Sequence, residues 1–161
     1  MKPEKQISYD FRKKPNIIAA LSYRGADQRR LFEYARKIRD AIFLKKVEVR
    51  SVIEYSNICQ QACNYCGMHK GSRIKRYIFS DEEFLGRVET LYNRGRRIIM
   101  IQTGESDSDA YFDTLYGLLK RVKDRHSDLT LICSFGSLHG HKYKKLREIG
   151  IERYLLKFET S

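Results

Sequence analysis

The 161-residue chain contains no run of about eighteen consecutive apolar residues, the least that reads as a membrane-spanning helix. Its first residues, Met1-Lys2-Pro3-Glu4-Lys5, lack the apolar stretch of a signal peptide, so neither a membrane partner nor Sec export is expected, and the cytoplasm is the expected location. Low-complexity segments and repeated sequence blocks are also missing, which leaves a single globular domain with a core as the simplest reading. Cysteine is scarce: Cys59, Cys63, Cys66 and Cys133 are all there are. Three of them within eight residues and one far away make no disulfide framework, and a reducing compartment would keep them as thiols. Acid is the minority charge, with 20 Asp and Glu against 32 Lys and Arg, a net charge of +12. Residues 1–50 hold 14 basic and 6 acidic side chains, so 14 − 6 = +8 of that surplus precedes the cysteines. A basic surplus suits a polyanionic partner or a solvated surface equally. Its distance from the cysteines favours the surface, and no nucleic-acid partner is expected.

What is present is an alternation of short apolar strands and amphipathic helices, preceded by a helical segment. Pro15 to Tyr23 predicts a short helix and Ala26 to about Lys45 a longer one, whose Leu31, Ala35, Ile38 and Ile42 form a stripe at helical spacing that is read as core packing. Val47 to Tyr55 is a β-branched run and predicts the first strand. Ser80 followed by Glu83 is a capping box and predicts a helix start, with Gly95 beyond its end. Ile98 to Ile101 is continuously apolar, the pattern of a parallel strand covered on both faces. Ser106 or Ser108 caps the next helix, Leu129 to Cys133 predicts a third strand, His141 to Ile149 a helix that stops at Gly150, and Tyr154 to Phe158 a fourth strand. Strand and helix alternation with short turns calls for parallel strands and right-handed crossovers. Four strands occupy about 110 residues, whereas an eightfold barrel takes roughly 250. The expected fold is therefore α/β, about half of a TIM-type barrel, with residues 1–46 as the helical segment and 47–161 as the half-barrel.

Cys59-Gln60-Gln61-Ala62-Cys63-Asn64-Tyr65-Cys66 has C-x3-C-x2-C spacing and leaves the first strand directly. Three thiolates on one loop can wrap one face of an iron–sulfur cube, which normally takes four cysteines. The iron left over is an open coordination position, the feature that separates a reactive centre from a structural one. The position suits catalysis, because barrel active sites sit at the C-terminal ends of strands. The rival reading adds His69 to make a Cys3His zinc site, as in a small nucleic-acid-binding module, although such modules are self-contained and need no barrel around them.

This cysteine pattern, with Tyr65 before the last ligand, resembles the signature of the radical S-adenosylmethionine (radical SAM) enzymes. Ile53-Glu54-Tyr55-Ser56-Asn57-Ile58 before it and Gly67-Met68 after it resemble the branch that holds biotin synthase, the [FeFe]-hydrogenase maturases and methylornithine synthase. The resemblance implies a radical SAM barrel in which Cys59, Cys63 and Cys66 hold three irons of a [4Fe-4S] cluster and SAM chelates the fourth. One electron from the reduced cluster, supplied by a donor such as flavodoxin or ferredoxin, then cleaves SAM to methionine and a 5′-deoxyadenosyl radical that abstracts hydrogen from a small-molecule substrate. It further implies that Tyr65 contacts the adenine and that Thr103-Gly104-Glu105, like the family's Gly-Gly-Glu, receives the SAM ammonium. Glu159 would then stand near the ribose, and Ser134 and Ser137 offer further hydroxyls at the third strand end. Cys133 resembles a ligand of biotin synthase's second, [2Fe-2S] cluster, but Ile98 to Gly104 contains no matching cysteine, and a small buried hydrophobe is the plainer reading. A half-barrel of this kind is expected to leave an apolar inner face and two strand edges uncovered, as in a truncated product, a fragment, or a chain completed by a second one.

Overall fold

The computed structural model describes residues 9–157. The chain divides into two compact units, residues 1–48 and 49–161. In the first, α1 (Lys14–Ser22) starts with Pro15 in its opening turn, where a missing N–H costs nothing. α2 (Gly25–Phe43) ends on Leu44 and Lys45, both in the left-handed region at φ 50° and 59°. The expectation that Leu31, Ala35, Ile38 and Ile42 are core is not met: α2 buries no side chain. The stripe instead lines an open cleft of about 750 Å³ with Tyr9, Phe11, Tyr34 and Phe43.

The second unit is an α/β half-barrel: β1 (Ser51–Ser56), α3 (Asp81–Asn93), β2 (Ile98–Thr103), α4 (Asp109–Arg125), β3 (Thr130–Ser134), α5 (Gly140–Glu148) and β4 (Arg153–Tyr154). The sheet is parallel throughout, and its spatial order, β1-β2-β3-β4, is the chain order. β1 and β4 are shorter than expected over the described residues, and the expected end of β4, Phe158, lies outside them. β1 begins at Ser51, which pairs with Ile99, so residues 47–50 have no ladder to join, and Val47 and Val49 stand exposed. β4 is confined to two residues opposite Ile132 and Cys133, with one further backbone bond from Leu155 N to Cys133 O at 2.8 Å.

Ser80 accepts from Glu83 N at 3.2 Å while the Glu83 carboxylate accepts from Ser80 N at 2.9 Å, completing the capping box of α3. Ser108, rather than Ser106, caps α4. Ile53, Tyr55, Ile99, Ile101, Leu131 and Cys133 turn one face of the sheet to the helices and pack on Phe84, Val88, Phe112, Leu115, Leu119 and Leu146. Each such large apolar side chain, fully buried, contributes about 1.5–3 kcal/mol. The opposite face is apolar along the row Val52, Met100 and Ile132 and polar one step nearer the C-terminal strand ends, where Glu54 accepts from Gln102 at 3.4 Å and Lys157 donates to Gln102 at 3.2 Å.

Candidate cofactor site

β1 delivers the chain at Ser56 into the cysteine loop, and the exit is tied down by the returning segment. Asn57 uses its side chain as a backbone would: Nδ2 donates to Lys75 O at 2.8 Å, and Oδ1 accepts from Tyr77 N at 2.8 Å. Ser56 Oγ donates to Tyr77 O at 3.1 Å, and Phe79 N to Tyr55 O at 3.0 Å. Between these ends the loop winds in consecutive turns, with Cys66 N bonded to Cys63 O, His69 N to Cys66 O, and Ser72 N to His69 O, at 2.9–3.2 Å. Cys59, Cys63 and Cys66 are half-buried free thiols. Tyr65 projects outward, 61% exposed.

The loop docks on the end of β2. Gln60 N donates to Glu105 O at 2.9 Å, Gln61 Nε2 to the Glu105 carboxylate at 3.0 Å, and Gly104 N to Ser56 O at 3.2 Å. A Cβ at Gly104 would lie 2.2 Å from Ile58 O and 2.7 Å from Cys59 Cβ, so only glycine allows this approach. Thr103 is buried, and its hydroxyl donates to Gly104 O at 2.5 Å. The Glu105 side chain lies against Gly136, where a Cβ would fall 2.3–2.5 Å from it; Gly136 also sits at φ +83°. Tyr154 secures that third loop by accepting from Phe135 N at 3.0 Å and donating to Gly136 O at 2.7 Å. Burial raises its phenol well above the ordinary value.

Cys59, Cys63, Cys66, Thr103, Gly104 and Glu105 thus share one end of the sheet, the C-terminal ends of β1 and β2. Ser134 is buried at the end of β3 and Ser137 is exposed. Glu159 lies outside the described residues. Cys133 is apart: it is fully buried, in register with Ile101 on the helix-facing side, and desolvation drives its thiol far above the normal range. Among the described residues no three His, Cys, Asp or Glu side chains converge to hold a single metal ion, and His69 Nδ1 accepts from Gly71 N at 3.2 Å. Sequence reasoning missed Asn57, Gln61, Arg76, Gly136 and Tyr154. Asn57, Arg76 and Tyr154 act through main-chain groups of other segments, Gln61 through the Glu105 carboxylate and Gly136 through its close approach to the Glu105 side chain, and only the position of Asn57 between strand and cysteine gave a local signal.

A parallel βα half-barrel with a three-cysteine loop leaving its first strand defines a class of cofactor-binding barrel proteins. The chain belongs to the radical SAM superfamily, whose domain matches residues 53–161. It is 34% identical over 134 residues to the [FeFe] hydrogenase maturase subunit HydE of Thermotoga maritima, covering 81% of this chain and 37% of that protein. Over 142 residues it is 28% identical to the biotin synthase of Heliobacterium modesticaldum, covering 85% and 43%. The crystal structure of methylornithine synthase superposes with a TM-score of 0.81 at 26% identity, covering 89% of this chain and 43% of that one. The hydrogenase maturase HydG shares the fold, with a TM-score of 0.78 at 23% identity. The chain thus spans less than half the length of these relatives, and among its described residues no helix is long and apolar enough to cross a membrane.

Proposed function

We propose that this chain carries the cofactor-binding half of a radical SAM enzyme, with Cys59, Cys63 and Cys66 holding three irons of a [4Fe-4S] cluster. The observation that carries the reading is the docking of the cysteine loop on Gly104 and Glu105, which sets three thiols and a carboxylate at one end of the sheet. The donor set suits a four-iron cube, where each thiolate takes a different iron and the three need not converge on one ion. Bound there, the cluster and SAM supply a 5′-deoxyadenosyl radical for hydrogen abstraction.

The chain's own residues do the rest. Glu105, held by Gln61 and backed by Gly136, presents a carboxylate to the SAM ammonium, a charge-assisted contact. Thr103 and Gly104 offer backbone groups to the same end, exposed Tyr65 offers its ring to the adenine, and Glu159 serves the ribose. The electron comes from a donor such as flavodoxin or ferredoxin in a reducing, cytoplasmic setting. The substrate is a small molecule whose remaining contacts come from later barrel strands. Biotin synthase chemistry is disfavoured, because its second cluster would need Cys133 on the inner face, and Cys133 packs among Ile101 and Leu131 toward the helices.

The test is anaerobic iron–sulfur reconstitution followed by assay for methionine and 5′-deoxyadenosine. A brown protein with about four irons that cleaves SAM under reduction is expected. A colourless, zinc-loaded protein would overturn the proposal in favour of the Cys3His site.

A further inference from the structure

Arg76 has no role in the cofactor contacts above, yet it makes the most concentrated set of hydrogen bonds in the site. Its Nη1 donates to Asn57 O at 2.6 Å and to Met68 O at 2.9 Å, and its Nη2 to His69 O at 2.6 Å and to Ser72 O at 3.3 Å. All four acceptors are main-chain carbonyls. Asn57 O lies where the loop begins, and the other three belong to the turns that follow Cys66. A planar guanidinium offers five donors in a fixed fork, whereas an ammonium offers three on a single point. The fork therefore ties the entry of the loop to the segment beyond its last cysteine, and Asn57, bonded to Lys75 O and Tyr77 N on either side of Arg76, closes the same ring.

We propose that Arg76 is the positioning residue of the cysteine loop: its guanidinium ties the start of the loop at Asn57 to the turns that follow Cys66, and so holds the loop closed before any cofactor binds. Closing a loop costs entropy. A loop held by its own arginine has already met that cost, and the thiolates then bind from a restricted geometry. The inference deepens the proposed function and rests on it for the identity of what the loop holds, but the clip itself is made entirely of the chain's own atoms.

The test uses the full chain and Arg76→Lys, which keeps the charge and loses the fork, beside Arg76→Gln, which loses both. In the cofactor-free protein, hydrogen exchange of the amides between 58 and 75 should rise roughly tenfold in both variants, while β1, β2 and β3 keep their protection. Arginine-selective NMR of the unsubstituted protein should show a guanidinium with resolved, slowly rotating Nη protons that is missing from the Arg76→Lys spectrum. Iron should leave the reconstituted variants faster under a chelator, by a similar factor, at unchanged melting temperature. An Arg76→Lys protein with parental loop exchange would overturn the proposal, as would exchange rising across the whole sheet, which marks general destabilisation, or the absence of the locked guanidinium signal. If the parent forms no iron–sulfur cluster, the functional reading fails while the exchange and NMR measurements still decide the role of Arg76.

Discussion

Gly104 is the residue on which the site's geometry depends most directly. Gly104→Ala would drive a methyl into Ile58 O at 2.2 Å, so the cysteine loop must lift from β2. The substitution should destabilise the protein by about 1–3 kcal/mol, read as a lower midpoint in denaturant, and should sharply reduce iron uptake on reconstitution. Cys133 sets the opposite expectation. Its thiol is buried and its ionisation suppressed, so alkylation under native, cofactor-free conditions should label three cysteines and leave Cys133 to react only after unfolding. Cys133→Ala should leave iron content unchanged. The contrast between the two positions shows what a linear sequence carries. The C-x3-C-x2-C spacing marks three ligands because their chemistry is local, whereas the need for glycine at 104 and 136 arises from the Ile58 carbonyl and the Glu105 side chain, which arrive from other loops.

At the scale of elements, α3 and α4 were legible because their signals are local. Ser80 and Glu83, and Ser108, state their roles within four residues. Ser80→Ala should cost about 1 kcal/mol, seen as a small fall in melting temperature without effect on the cysteine loop. The start of β1 was not legible, because it is set by where β2 begins, nearly fifty residues later. Nor was the fate of the stripe on α2, since periodicity reports amphipathicity and not what covers it. The α4–α5 contact hides a charge pair: the buried ammonium of Lys142 bonds Asp109 at 2.7 Å and holds the Asp109 carboxyl below its ordinary 3.8. A depressed carboxyl lends stability that is present above its unfolded pKa and lost as pH falls through its folded one. The parent should therefore lose part of its stability on acidification below about pH 4. In Asp109→Asn that segment of the pH–stability curve should flatten, with lower stability at neutral pH.

For the whole molecule, the fold class and the half-barrel followed from the count and alternation of elements, and the superposition on methylornithine synthase covers 43% of that chain. The division into two units carries a prediction of its own. Residues 44–50 hold Lys45, Lys46 and Arg50 on an exposed stretch outside the helices and strands, at the boundary of the two units, so limited trypsin digestion should cut there before it cuts at Lys70, Arg73 or Lys75, which lie in the tied loop. First cleavage inside 70–75 would contradict both the unit boundary and the closure of that loop.

A sheet whose spatial order equals its chain order has a consequence for synthesis. Each strand pairs with its predecessor, so the half-barrel can grow as it leaves the ribosome, and no strand waits for one made much later. The cysteine loop does wait. Arg76 and Tyr77 emerge soon after the last cysteine, but Gly104 and Glu105 follow only once α3 and β2 have been made. During translation the three thiols pass through a stage at which the loop is closed on one side and open on the other.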